Sequence, residues 1–149
     1  MFTDPVHGMI TSPFGNRVNP VTKQKELHTG IDIAVSAGTK VAAVGNGVVT
    51  DVGTTDAEGL YVRYALPGGY EAFYCHLQKA YVKKGDRVKA GQIVALSGNS
   101  GRTTGPHLHY TLWLNGNLVD PMEYVDLPYA PDVEAEYKAR GERIVEAVH

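Results

Sequence analysis

A single cysteine, Cys75, rules out any internal disulfide, so the thiol content leaves the redox compartment open. No apolar run reaches 18 residues, which excludes a membrane-spanning helix. Neither sign of charge dominates: 14 basic against 16 acidic side chains leave a net charge of −2. That gives no electrostatic argument for nucleic acid or an anionic membrane as partner. The first residues, MFTDPVHGMI, lack the basic start and apolar stretch of a secretory leader. An extracellular role therefore calls for another export route or a leader supplied from outside this sequence. Several catalytic signatures are missing as well. There is no His-Glu-x-x-His helix to carry a glutamate base, no Gly-x-Ser-x-Gly elbow and no Walker-type loop. Gly98-Asn99-Ser100-Gly101 resembles a phosphate cradle only loosely.

What is present points to strands and turns. The length of 149 residues suits one domain. Seventeen glycines and eight prolines, scattered without a period among nine tyrosines and many valines, predict a β-rich domain with frequent tight turns. Residues 1–30 read as an ordered, turn-rich loop region leading into the first core strand. From Ile31 onward short β-branched strands alternate with turns at Ala37-Gly38 and Gly45-Asn46-Gly47. Pro67-Gly68-Gly69 predicts a hairpin turn, and further turns fall at Lys84-Gly85-Asp86 and Ala90-Gly91. The last core strand spans about Leu108 to Leu114 and turns at Asn115-Gly116-Asn117. The tail differs: Val133, Tyr137, Ile144, Val145 and Val148 recur at roughly helical spacing, with Asp132 as N-cap. It predicts a C-terminal helix, loosely docked or used for self-association.

The chemistry sits in three short stretches. In TTGPHLHYTLW, strand alternation puts His107 and His109 on one face, roughly 6.6 Å apart. Two such imidazoles can share one metal ion, or one can bind while the other waits beside a reacting group. In HTGIDIA, His28 and Asp32 lie four residues apart and share a face; imidazole nitrogen and carboxylate oxygen are ordinary zinc ligands. In FYCHLQ, His76 ends an aromatic strand, and alternation puts Cys75 on the opposite, apolar face. Four histidines and one aspartate from separate segments match the needs of a catalytic zinc site: three protein ligands, an open position and nearby proton-transfer groups.

In order and spacing, His-x-Gly-x-Asp at 28–32, Tyr-x-His-Leu at 74–77 and Thr-Gly-Pro-His-Leu-His-Tyr at 104–110 closely resemble the lysostaphin/LytM-type zinc endopeptidases, which cut peptidoglycan cross-links. The resemblance runs from about Gly8 to Pro121. It implies a compact antiparallel β-sheet or sandwich with an active-site groove, followed by the short C-terminal helix. Residues 1–126 would be the catalytic domain and 127–149 a tail. It further implies one Zn²⁺ per chain held by His28, Asp32 and His109, with His76 and His107 as non-ligand catalytic imidazoles. On that reading His107 is the general base and His76 the oxyanion stabiliser or proton donor. The substrate would be a peptide of the cell wall, at an extracellular, periplasmic or virion-associated site, with a phage-encoded lysin among the settings. Three features depart from the family pattern: Gly59-Leu60 ahead of the YVRY strand, the LPGGYEAFY turn and the C-terminal tail.

Two other function classes fit less of the chain. A non-catalytic cell-wall-binding or amidase-activating module of the same fold would have lost zinc ligands, whereas all three are here. A lipoyl- or biotin-carrier hairpin would explain the rhythm of VKKGDRVKAGQIVAL, but the Met-Lys-Met attachment turn is absent and the histidines would be unexplained.

Overall fold

Ile31 and Ile33 are fully buried, whereas Asp32 between them faces the other way and stays half-buried. The same period of two runs through Leu108, Tyr110 and Leu112, and through Ala72 and Tyr74. These side chains meet in one apolar core in the computed structural model, which describes residues 2–18, 23–103 and 105–139.

The described residues form strands β1 (Met9–Ser12), β2 (Gly15–Val18), β3 (Lys25–His28), β4 (Ile31–Ala34), β5 (Lys40–Ala42), β6 (Gly47–Thr55) and β7 (Gly59–Ala65). They continue with β8 (Tyr70–Ala80), β9 (Arg87–Val88), β10 (Ile93–Ser97), β11 (Leu108–Leu114), β12 (Asn117–Val119) and one helix, α1 (Pro131–Ala139). Ten strands make one antiparallel sheet with the order β1-β4-β11-β8-β7-β6-β9; β10 links β8 to β5, and β12 pairs with β11. β2 and β3 form a separate hairpin. The mainly β architecture is the one that the composition and turn pattern predict, and its antiparallel pairing is the one that the family resemblance implies.

The turns fall where glycine and asparagine place them. Gly68 and Gly69 have φ of 81° and 85° between β7 and β8. Asn115 and Gly116, at 51° and 82°, make the two-residue turn between β11 and β12 that such a pair favours.

Two readings of the sequence need correction. Residues 1–30 are not only loop: β1, β2 and β3 lie there, and Ile10 of β1 is fully buried against β4. Strands of four residues are too short to show alternation above the surrounding turn residues. At the other end, Asp132 is not the N-cap. The Ala130 carbonyl accepts from the Glu134 N–H, so Ala130 caps the helix and Pro131 takes the first helical position, which suits its fixed φ. The helix start is well anchored. Ile10 donates its N–H to the Pro128 carbonyl at 2.9 Å and accepts from the Ala130 N–H at 2.9 Å, while Val133 is buried in the core. Ile144, Val145 and Val148 lie outside the described residues.

β8 is the strand on which the site depends. Its residues 70–75 pair with β11, and 77–80 pair with β10. Against β7, Leu60 faces Leu77 and Val62 faces Tyr74, so two residues of β7 span three of β8. The extra residue is a β-bulge at His76, whose φ is +61°, a conformation rarely adopted by a residue other than glycine. Leu77 therefore stays in the core with Tyr74, and His76 shares the opposite face with Cys75.

Candidate metal centre

Asp32 and His109 are direct cross-strand partners on β4 and β11, which puts their side chains on one face within contact distance. The Asp32 Oδ1 lies 2.9 Å from the His109 Nδ1. His28 arrives from the β2–β3 hairpin through a tight link in which Gly30 leaves no room for a side chain. A Cβ there would stand 2.2 Å from the Tyr110 carbonyl oxygen and 2.8 Å from the Thr111 hydroxyl. This close approach explains the glycine in His-x-Gly-x-Asp and brings the His28 Nε2 to 3.4 Å from the Asp32 Oδ2. One ligand-type atom from each of His28, Asp32 and His109 lies within 4.8 Å of the others.

Each imidazole is oriented from behind. A carbonyl can only accept, so the His28 Nδ1–H donates to Pro13 at 2.8 Å and leaves Nε2 free. The His109 Nε2 bonds the buried Thr111 hydroxyl at 2.9 Å, which leaves Nδ1 towards Asp32. Two nitrogens and a carboxylate oxygen, with outer partners that orient both rings and fix the His28 tautomer, form a donor set suited to Zn²⁺.

The other two histidines stand beside this cluster. The His107 Nδ1–H donates to the Gly105 carbonyl at 2.8 Å, and its Nε2 is 3.5 Å from the Asp32 Oδ1. The His76 Nδ1–H donates to the Ser100 carbonyl at 2.8 Å, and its ring centre lies 5.2 Å from that of His107. The sequence thus names five groups that the fold brings into one open cleft of about 650 Å³, whose wall also carries Arg102 and Thr103.

Electrostatics follow from this packing. Burial acts to raise the Asp32 pKa, but hydrogen bonds and charge from His109 and His28 outweigh it and hold the carboxyl well below the usual carboxylate range. Burial depresses the His76 pKa below 6.5; the bond to the Ser100 carbonyl opposes the shift, and the neighbouring His107 and His109 reinforce it. His76 is therefore neutral at neutral pH.

Cys75 is a correction. It is the cross-strand partner of His109 and so lies on the groove face with His76, not opposite it, because the bulge breaks the alternation. Burial pushes its thiol pKa up, with Glu58 and Asp32 adding to the shift, so it packs as an inert side chain.

Sequence reading names none of the groups that hold the rings. Thr111 carried a usable signal, since it lies two residues beyond His109 on the same strand face. The carbonyls of Pro13, Ser100 and Gly105 carried none, because any residue supplies a carbonyl.

The model of peptidase family M23 matches residues 26–121, a span that contains all five site residues. The chain belongs to peptidase family M23. Among M23 relatives, the peptidoglycan DD-endopeptidase ShyA of Vibrio cholerae is 43% identical over 125 residues, covering 83% of this chain and 29% of its own length. A zinc-containing peptidase from Vibrio cholerae superposes with a TM-score of 0.77 at 40% identity, over 84% of this chain and 40% of that one. The catalytic domain of lysostaphin from Staphylococcus simulans gives 0.70 at 31% identity, over 78% and 91%. The chain spans about a quarter to a third of the length of the curated M23 relatives that it matches.

Proposed function

We propose that this M23 domain is a zinc-dependent endopeptidase that hydrolyses amide bonds in the peptide cross-links of peptidoglycan. The observation that carries the reading is the convergence, in one cleft, of a His28–Asp32–His109 donor cluster with two further imidazoles, His76 and His107. The printed names of relatives, among them DD-endopeptidases from Vibrio cholerae and a DD-carboxypeptidase/endopeptidase from Neisseria meningitidis, support a cell-wall peptide as substrate and the wall as the place of action. A non-catalytic module has no lost ligand in its favour.

His28, Asp32 and His109 would hold the zinc ion, which when bound supplies Lewis-acid polarisation of the scissile carbonyl and acidifies water. The protein groups do the rest. His107, with Nδ1–H committed to the Gly105 carbonyl, presents the lone pair of Nε2 to the cleft and takes a proton from the attacking water. The imidazolium so formed returns that proton to the leaving nitrogen. The amide C–N bond is thereby replaced by C–O and N–H, and His107 is neutral again.

His76 is placed differently from a simple oxyanion donor. Its Nδ1–H is committed to the Ser100 carbonyl, so donation from Nε2 needs the imidazolium form, which burial disfavours. We give it the acceptor part: its Nε2 orients the water that His107 deprotonates.

The test is mass spectrometry of fragments released from purified peptidoglycan by the zinc-loaded protein, with His109→Ala alongside. New amino termini from the wild type and none from the variant are expected, and they identify the bond. No release from walls of either direct or glycine-bridged cross-linking would reject the proposal.

A further inference from the structure

The loop at 98–103 is held on several sides, yet it carries one charged side chain with no ion-pair partner among the described residues. The Ser100 hydroxyl accepts from the Leu60 N–H at 3.1 Å and donates to the Leu77 carbonyl at 2.6 Å. Gly101, at φ +77°, is so close to the β6–β7 turn that a Cβ would stand 2.4 Å from the Gly59 nitrogen. The Arg102 N–H donates to the Ala57 carbonyl at 2.9 Å, and Gly98 bridges to His107. The main chain at Arg102 is thus fixed relative to the metal centre.

The Arg102 side chain itself is exposed on the cleft wall and makes no ion pair among the described residues. Its acidic neighbours are committed elsewhere. Asp32, the only carboxylate among the described residues that line the cleft, is engaged by His28, His107 and His109. Glu58, on the turn to which the loop is tied, accepts from the Thr55 hydroxyl. A permanently charged guanidinium, held beside a reaction centre whose own carboxylate is consumed, is matched by an anion from the ligand.

We infer that Arg102 binds a carboxylate of the substrate close to the scissile amide and so selects charged peptide cross-links over uncharged ones; this rests on the endopeptidase reading above. An amide made to an amino group whose own carbon bears a free carboxylate, as in a diamino dicarboxylic acid, presents that carboxylate next to the scissile nitrogen. An oligoglycine bridge has none. Arg102 is the group in the cleft that can tell these two apart.

The experiment uses two synthetic cross-linked peptides that differ only in carrying a carboxylate or a carboxamide beside the scissile bond. They are given to zinc-loaded wild type, Arg102→Gln and Arg102→Lys. Wild type is expected to favour the carboxylate peptide in kcat/KM by about 10- to 100-fold, the span of one charge-assisted hydrogen bond. Arg102→Gln shrinks that ratio towards one with zinc content unchanged, and Arg102→Lys restores part of it. An equal ratio in wild type and Arg102→Gln overturns the inference and leaves the peptidase reading standing. If neither peptide is cleaved, the peptidase reading falls. Calorimetric titration of both peptides then still decides Arg102: a carboxylate preference lost in Arg102→Gln supports it, and equal affinities refute it.

Discussion

Asp32 and His109 face each other across β4 and β11, 2.9 Å apart, and Asp32 is also approached by His28 and His107. One carboxylate gathers three imidazoles, and two of these offer a free nitrogen to a shared ion. Replacing Asp32 with asparagine keeps the shape and removes the charge. Zinc affinity should fall by more than the ~10- to 100-fold typical of losing an outer partner. Competition with a chromophoric chelator measures it, and an unchanged constant would contradict the donor set.

Thr111 acts through His109. Thr111→Val removes the buried hydroxyl that bonds Nε2 and leaves a partly buried ring nitrogen without that partner. Zinc affinity or turnover should drop by about 10- to 100-fold while the far-ultraviolet circular dichroism is preserved. Recovery in Thr111→Ser would tie the effect to the hydroxyl.

Gly30→Ala tests the close approach of the β3–β4 link to β11. The new methyl would meet the Tyr110 carbonyl oxygen at 2.2 Å, backbone that cannot swing aside. A loss of about 1–3 kcal/mol is expected from overpacking, read as a lower urea midpoint, together with weaker zinc binding as His28 is displaced. A variant of wild-type stability that keeps its zinc would show that the link has slack.

Acid should weaken the metal-free protein in two steps of the same sign. His76 has a folded pKa below its ordinary 6.5, so the unfolded chain binds more protons as pH falls through that value, and stability declines. The folded pKa of Asp32 is also depressed; its stabilisation is present above 3.8 and is lost as pH falls below that towards the folded value. Urea midpoints should fall as pH drops through 6.5 and again below 3.8. His76→Gln should reduce the first of these losses, and equal profiles below pH 6.5 would reject the assignment.

Much of this molecule could be read from local pattern. The alternation of Ile31, Asp32 and Ile33, and of His107 through Leu112, fixes which side chains face the core and which face the groove. Gly68-Gly69 and Asn115-Gly116 mark turns because few other residues adopt positive φ there. The five site residues also stand out, since each lies in a short motif whose spacing survives in the chain itself.

The sequence by itself thus determined the strand-rich class, the turns and the five candidate groups, because period and φ preference are properties of neighbouring residues; their division into metal ligands and proton-transfer imidazoles is what the family resemblance implies. Only the tertiary structure decided which face His76 takes, since that depends on one extra residue in β8 set against β7. It also decided that Pro13, Ser100, Gly105 and Thr111 hold the four rings, and that Arg102 stands on the same wall with no ion pair among the described residues. Those relations join residues up to tens of positions apart, and a backbone carbonyl or an unpaired cation acquires its meaning only from what the folded chain brings beside it.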